Sequence, residues 1–297
     1  MYGECENQTQ KSSRSTRVLT DEEKKKLKDA KLVSEFKQNK FEVEAQKNWD
    51  LFYKRNTTKF FKDRHWTTRE FMELCSTKKN NEGETNKILE VGCGVGNFIF
   101  PLLAEDTGLF FYACDFSPRA VQFVKDNSLY DPARCHAFQC DITEDSLSNV
   151  IQECDIDIVT MIFVLSAIHP DKMTAALENV FKILKPGGMV LFRDYGLYDH
   201  AQLRFGPGHK LGENFYVRQD GTRAYYFSIE QLDSLFEGTG FTTLSSDYIH
   251  RETVNKKEGL SVERIFVQSK YQKPFQIISK SESGQSTTNH CENIKSS

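Results

Sequence analysis

Residues 88–97 read ILEVGCGVGN, an apolar run that passes straight into glycines at alternate positions, and this junction constrains the fold more than any other stretch. Ile88, Leu89 and Val91 suit a parallel strand covered on both faces. Gly92, Gly94 and Gly96 let the backbone turn sharply and approach a bound nucleoside, because no Cβ stands in the way. Glu90 is the one charge in the run. The dinucleotide fingerprint GxGxxG calls for a third glycine where this chain has Asn97, so the spacing argues against a nicotinamide dehydrogenase.

From this strand onward apolar runs alternate with helical stretches, the pattern of a doubly wound α/β sheet. Strands are expected at 88–91, 109–114, 135–139, 156–164 and 189–192, with helices at 119–125 and 171–184 and a Lys-Pro-Gly-Gly turn at 185–188. Ser117 and Pro118 provide the cap and first-turn proline of the 119–125 helix. His169, ahead of Pro170, reads as a turn residue. Two strand-like runs around Asp220-Gly221 signal an inserted hairpin at about 213–227. A helix at 229–237 and strands near 242–250 and 264–269 complete the expected fold. Upstream, residues 21–54 read as helical with Thr20 as cap, and 76–86 as a polar linker. The organisation expected is a disordered N-terminus (1–19), a helical, aromatic and basic extension (20–86), an α/β domain (87–271) and a disordered polar tail (272–297).

No apolar run approaches the roughly 20 residues that cross a bilayer, and the longest, 156–168, is interrupted by Asp157, Thr160 and Ser166. Glu4 and Glu6, with no early apolar stretch, argue against a secretory signal, so a cytoplasmic protein is expected, with the nucleus as a second compartment. The eight cysteines form no CxxC pair and have no histidine at zinc-ligand spacing, which predicts reduced thiols and no metal site. Residues 1–80 hold 19 Lys and Arg against 13 Asp and Glu, whereas the remainder holds 20 against 29. A basic segment on an acidic body suits a polyanionic partner, and equally a solvated helix face. No sustained apolar seam is evident, so a monomer is expected.

Asp115 ends the second strand, where a carboxylate can accept hydrogen bonds from both hydroxyls of a ribose. Asp141 ends the third and suits an adenine amino group, with Ile142 and Ile162 as apolar walls. The fifth strand ends in Phe192-Arg193-Asp194-Tyr195-Gly196, which directs an arginine, a carboxylate and a phenol towards the same rim. Between Trp49 and Arg69, aromatic and basic residues interleave, a composition that permits base stacking with phosphate contact or a helical lid packed on the main domain. No Ser-His-Asp ordering, glycosidase carboxylate pair or GxxxxGK[ST] loop stands at a convincing position.

Together, residues 48–53 (NWDLFY), 61–67, the glycine turn, Cys114-Asp115-Phe116-Ser117-Pro118, residues 163–166, Lys185-Pro186-Gly187, residues 192–196 and residues 214–220 resemble the tRNA N3-methylcytidine methyltransferases of the methyltransferase-like family. The similarity spans residues 20–270 and is strongest to the member acting on serine tRNA. It implies a class I, Rossmann-like fold with a seven-stranded, mostly parallel sheet. The implied cofactor is S-adenosyl-L-methionine, released as S-adenosyl-L-homocysteine and held by Trp49, Tyr53, Gly92, Gly94, Asp115, Asp141, Ile142 and Ile162. Trp49 and Tyr53 then read as a lid giving cation–π attraction to a sulfonium. The implied acceptor is cytidine at position 32 of the anticodon loop of serine tRNA, with seryl-tRNA synthetase as partner. Asp194 is the catalytic candidate, accepting from the cytosine amino group. Candidate RNA contacts are Arg55, Lys62, Arg64, His65, Arg69, Arg193, Tyr195, Arg218, Arg223, Arg251, Asn255, Lys256 and Lys257. The alternatives are a methyltransferase with a protein or small-molecule acceptor, and a non-catalytic RNA-binding module on the same fold.

Overall fold

The computed structural model describes residues 11–74, 85–105, 108–255 and 260–275. Its strands are β1 (Lys11–Ser13), β2 (Asn86–Val91), β3 (Leu109–Asp115), β4 (Cys135–Gln139), β5 (Ile156–Ile162), β6 (Leu184–Tyr195), β7 (Lys210–Gly212), β8 (Phe215–Val217), β9 (Arg223–Tyr225), β10 (Thr242–Asn255) and β11 (Leu260–Gln272). Its helices are α1 (Asp21–Asp29), α2 (Glu35–Val43), α3 (Ala45–Asn56), α4 (Thr67–Glu70), α5 (Ile99–Glu105), α6 (Pro118–Lys125), α7 (Pro170–Ile183), α8 (His200–Leu203) and α9 (Ile229–Gly238).

The main sheet runs β1-β10-β11-β6-β5-β2-β3-β4. Strands β6, β5, β2, β3 and β4 are mutually parallel, and β11, β10 and β1 join antiparallel. Burial of residues 88–91 of β2 and 158–162 of β5 explains why only Glu90 and Thr160 interrupt their apolar runs. Leu89 and Val91 face a layer that includes α7 and α9, and Ile88 faces one that includes α5 and α6. Strand β2 lies between β3 and β5, so the chain reverses its winding there and leaves a crevice beyond the carboxyl ends of these strands.

Several segments depart from expectation for identifiable reasons. Residues 11–13, expected to be disordered, pair with β10 and cover what would otherwise be an open sheet edge. The helix expected over 21–54 is three helices. After α1, whose Thr20 and Glu23 form a reciprocal capping box, Ala30 is extended and Leu32 bridges Lys210. The Val33 N–H then goes to the Lys210 carbonyl at 2.8 Å, and its side chain joins the core, which a continuous helix does not allow. The insertion is a separate three-stranded antiparallel sheet, β7-β8-β9, beginning at Lys210. His169 caps α7, its Nδ1 accepting from the Asp171 N–H at 3.3 Å.

The Lys-Pro-Gly-Gly turn is absorbed into β6 at an irregularity, with Gly187 at φ 81°. Lys273, expected in the disordered tail, accepts from the Gly187 N–H and donates its own N–H to the Gly188 carbonyl. Its buried ammonium donates to the carbonyls of Phe181 and Leu184 at 2.7 and 2.8 Å, satisfying the end of α7. Residues 1–10, 75–84 and 276–297, where most of the expected disorder and linker fall, lie outside the described residues. No described helix is long and apolar enough to cross a membrane.

Replacing Lys273 by Met keeps the packed stem but leaves two carbonyls without their charged donor. The expected cost is about 2 kcal/mol, read as a thermal midpoint lowered by roughly 5 °C in a calorimetric scan. An unchanged midpoint contradicts this role.

Candidate active site

The glycine turn is built around a buried carboxylate. Gly94 donates its N–H to Asp115 Oδ2 at 3.0 Å, and Ser117 donates to Oδ1 at 2.9 Å, so one side chain joins the β2 and β3 loops. Gly92 and Gly94 take φ values of 64° and 54°, in the left-handed region that favours glycine. A Cβ on Gly92 would lie 2.4 Å from Val164, and one on Gly94 would lie 3.0 Å from the Tyr53 hydroxyl. Each Asp115 oxygen retains acceptor capacity beyond these two bonds. Burial pushes the Asp115 carboxyl up to about 6, although the two N–H donors oppose the shift.

A cavity of about 460 Å³ opens beyond this turn and is lined by Trp49, Tyr53, Gly92, Asp115, Asp141 and Ile142, among others. A second space of about 40 Å³ is bounded by Trp49, Tyr53, Gly92, Gly94, Ile162 and Arg64. All eight residues expected at the cofactor therefore line one or both spaces. Trp49 and Tyr53 lie one turn apart on α3, with ring centroids 6.1 Å from each other. Several bonds hold α3 over the turn. Asp50 accepts from Ser117 Oγ at 3.1 Å and Arg119 Nε at 3.2 Å, and Gln46 Nε2 donates to the Phe116 carbonyl at 2.7 Å. Phe163, which borders both spaces, is held at φ 61°, an uncommon conformation for a bulky residue.

A family model described as a methyltransferase domain matches residues 89–190, from the glycine-turn strand into β6. A solved S-adenosylmethionine-dependent methyltransferase from Anabaena variabilis superposes with a TM-score of 0.55 at 15% identity, covering 77% of this chain and 94% of that one. Among curated relatives, the tRNA N(3)-cytidine methyltransferase METTL6 of Homo sapiens is 61% identical over 266 residues, 89% of this chain and 93% of the relative. The tRNA N(3)-cytidine methyltransferase METTL2 of Danio rerio is 43% identical, covering 80% of this chain and 76% of its own. The chain belongs to the tRNA N(3)-cytidine methyltransferase family. It is an S-adenosylmethionine-dependent methyltransferase.

The residues present fit that cofactor. Alongside the ribose-competent Asp115 and the aromatic faces, the smaller space is lined by Arg64, whose guanidinium lies beside the buried Glu90. Arg64 Nη1 lies 3.7 Å from Glu90 Oε1, and Glu90 Oε2 is buried with no hydrogen-bond partner. Burial pushes the Glu90 carboxyl up to about 8, against the pull of Arg64. The Arg64 guanidinium in that lining suits the carboxylate of an amino acid. Reading the sequence left Glu90 without a role, its only signal being that it is the one charge in residues 88–97. It also assigned no role to Phe163, Asp50 or Asn48.

On the acceptor side the structure redistributes the expected residues. Asp194 lies within the core and does not line the cavity: Oδ2 accepts from the Ser166 N–H and Oδ1 from the Tyr195 N–H, both at 2.9 Å. Fully buried and with both oxygens taken by backbone N–H donors, it positions the β6 rim instead of being presented to the cavity, which corrects the direct contact expected of it. Burial pushes its carboxyl up to about 6. Arg193 is buried, donating to Gln268 Oε1 at 3.0 Å with its guanidinium 4.5 Å from the Trp66 ring centroid. Arg223 is buried against Glu42 and the Ala167 carbonyl, and Arg64 turns towards Glu90. These three are structural or donor-side groups, contrary to the RNA contacts expected of them. Arg218 folds back onto the Arg223 carbonyl at 2.7 Å and over the Tyr195 ring, and Tyr195 packs beside Phe163. Arg251 lies 3.8 Å from Glu70 and over Trp66. Arg55, Lys62, His65 and Arg69 are exposed. Asn255 ends β10, and Lys256 and Lys257 lie outside the described residues. Among the described residues no group of His, Cys, Asp and Glu is arranged to hold a metal ion.

Glu90, Asp115 and Asp194 all have carboxyls raised above their ordinary 3.8–4.5. The folded chain therefore retains protons that the unfolded chain releases, and stability falls as pH rises through about 6 and then about 8. Without cofactor, the thermal midpoint should drop between pH 6 and 8.5, and Glu90→Gln should flatten the upper part of that slope. A wild-type profile with no downward trend contradicts the assignment.

Proposed function

We propose that this chain transfers a methyl group to N3 of cytidine at position 32 in the anticodon loop of serine tRNA, acting as a monomer with seryl-tRNA synthetase as recognition partner. The cytoplasm, with the nucleus as a second compartment, is the location this substrate favours. The observation that carries the reading is the two-sidedness of one segment. Residues 49–69 wall the donor spaces with Trp49, Tyr53, Phe61 and Arg64, and the same stretch presents Arg55, Lys62, His65 and Arg69 to solvent. An RNA backbone following those cations would bring an unpaired base next to the donor. The names of the curated relatives support the tRNA and the cytidine. The serine identity and position 32 rest on the motif resemblance.

Cytosine N3 carries a lone pair, so no residue need remove a proton from it before attack. When bound, S-adenosylmethionine supplies an electrophilic methyl on a sulfonium. The chain's own contribution is alignment and exclusion of water by Trp49, Tyr53 and Phe163, which border both spaces. Asp194 holds the Ser166 turn and the Tyr195 backbone in register and places a carboxylate behind the rim. It is a positioning residue.

Label from S-adenosylmethionine should appear in N3-methylcytidine when the protein meets serine tRNA, more strongly with the synthetase present. Asp194→Asn should lower kcat by at least tenfold with unchanged cofactor affinity, and should remove the fall in wild-type rate below about pH 6. Arg55→Gln with Arg69→Gln should raise the KM for tRNA several-fold and lower the salt slope by roughly 0.7 per lost contact. Cofactor binding without label in any tRNA moves the reading to a protein or small-molecule acceptor, or to a non-catalytic module.

A further inference from the structure

The donor lid is tied to the inserted sheet through one carboxylate. Glu42, in the last turn of α2, meets two cations from different elements: Arg223 Nη1 on β9 donates to Oε2, and Lys172 Nζ on α7 lies 3.1 Å from Oε1. Lys172 continues to Glu144 Oε1 at 2.7 Å, just past the Asp141 loop, and Arg223 Nη2 continues to the Ala167 carbonyl at 3.1 Å. All four side chains line the large cavity. Two positive and two negative groups thus alternate along its rim, joining the lid, the insertion, α7 and the loop after β4.

A second contact couples the same parts. Asn48, buried on α3 and adjacent to Trp49, donates to the Gly221 carbonyl at 3.2 Å, and a Cβ on Gly221 would lie 2.8 Å from the Asn48 side chain. The Val33 N–H and Lys210 carbonyl add a third link at the start of the insertion. The inserted sheet is therefore fastened to α2, to α3 and to the segment just before α2. Of these, the link through Glu42 is the one made by charge and bordering the cavity itself.

We infer that Glu42 is a latch: its bridges to Arg223 and Lys172 hold the N-terminal lid closed over the cofactor, and breaking them limits escape of S-adenosylhomocysteine. This rests on the cavity being the donor site and is independent of which acceptor is used. α2 has no fully buried residue; in its last turn Phe41 packs partly buried against the core, and the adjacent Glu42 supplies the charged contacts that hold this end on the cavity rim. Lid opening governs turnover in many enzymes that enclose their substrates. A partly buried ion pair is screened by salt less than an exposed one, but each opening event exposes it to that screening.

The test is stopped-flow release of S-adenosylhomocysteine from the full chain, following tryptophan emission, since Trp49 borders the cavity. Glu42→Gln should speed release about tenfold and remove most of the salt dependence seen in the wild type. Arg223→Glu should do the same. Release rates within twofold of wild type in folded Glu42→Gln, or in Arg223→Glu when its thermal midpoint is normal, would overturn the latch. Separately, Trp49→Ala that leaves cofactor affinity intact would show that the donor sits elsewhere, a failure of the site assignment recognisable without reference to Glu42.

Discussion

The Asp115 carboxylate is the interaction on which the rest of the site depends. It is buried, it receives one N–H from the glycine turn and one from the cap of α6, and it thereby fixes how the ends of β2 and β3 face each other. Burial alone would favour the protonated form, and the two donors are what make an ionised carboxylate tolerable there. The same residue keeps acceptor capacity on the side facing the cavity. Structure and chemistry thus use one group: the bonds that shape the turn leave over the lone pairs a ribose can use.

Around that anchor the chain builds a lid from sequence that a bare α/β sheet does not need. Asp50 ties α3 to the start of α6, Gln46 ties it to the Phe116 carbonyl, and Asn97 Nδ2 binds the Phe61 carbonyl and Asp63 as the chain passes the turn. Tyr53, so placed, sets its hydroxyl beside Gly94. Asn97, whose identity argues against a dehydrogenase, acts here as a fastener for this segment. The inserted sheet then backs the lid from the other side through Asn48 and Glu42.

Much of this was legible in the sequence because period and punctuation carry it. The alternation of apolar runs with helices, the glycines of the turn, Asp115 at a strand end and the Ser117-Pro118 cap are local signals that specify their own surroundings. The arginines were not legible in that way. Arg64 and His65 are neighbours in a loop, yet one turns towards Glu90 and the other to solvent. Arg193 and Arg223 are decided by Gln268 and Glu42, 75 and 181 residues away, so no local pattern distinguishes them from RNA-binding side chains. Asp194 is sealed by a Ser166 N–H that only the turn after β5 presents. Likewise β1 exists because β10 needs an edge partner, and the break after α1 exists because Val33 is wanted in the core.

The central claim is that the cofactor lies between the glycine turn and α3, enclosed from both sides. Amide hydrogen exchange with and without saturating S-adenosylhomocysteine tests it most directly. Residues 92–97, 115–117 and 141–143 should be protected together with residues 45–56, at similar ligand concentrations. Protection confined to the sheet loops, with exchange across α3 unchanged, would contradict the enclosed site and reduce the N-terminal helices to a neighbouring structure.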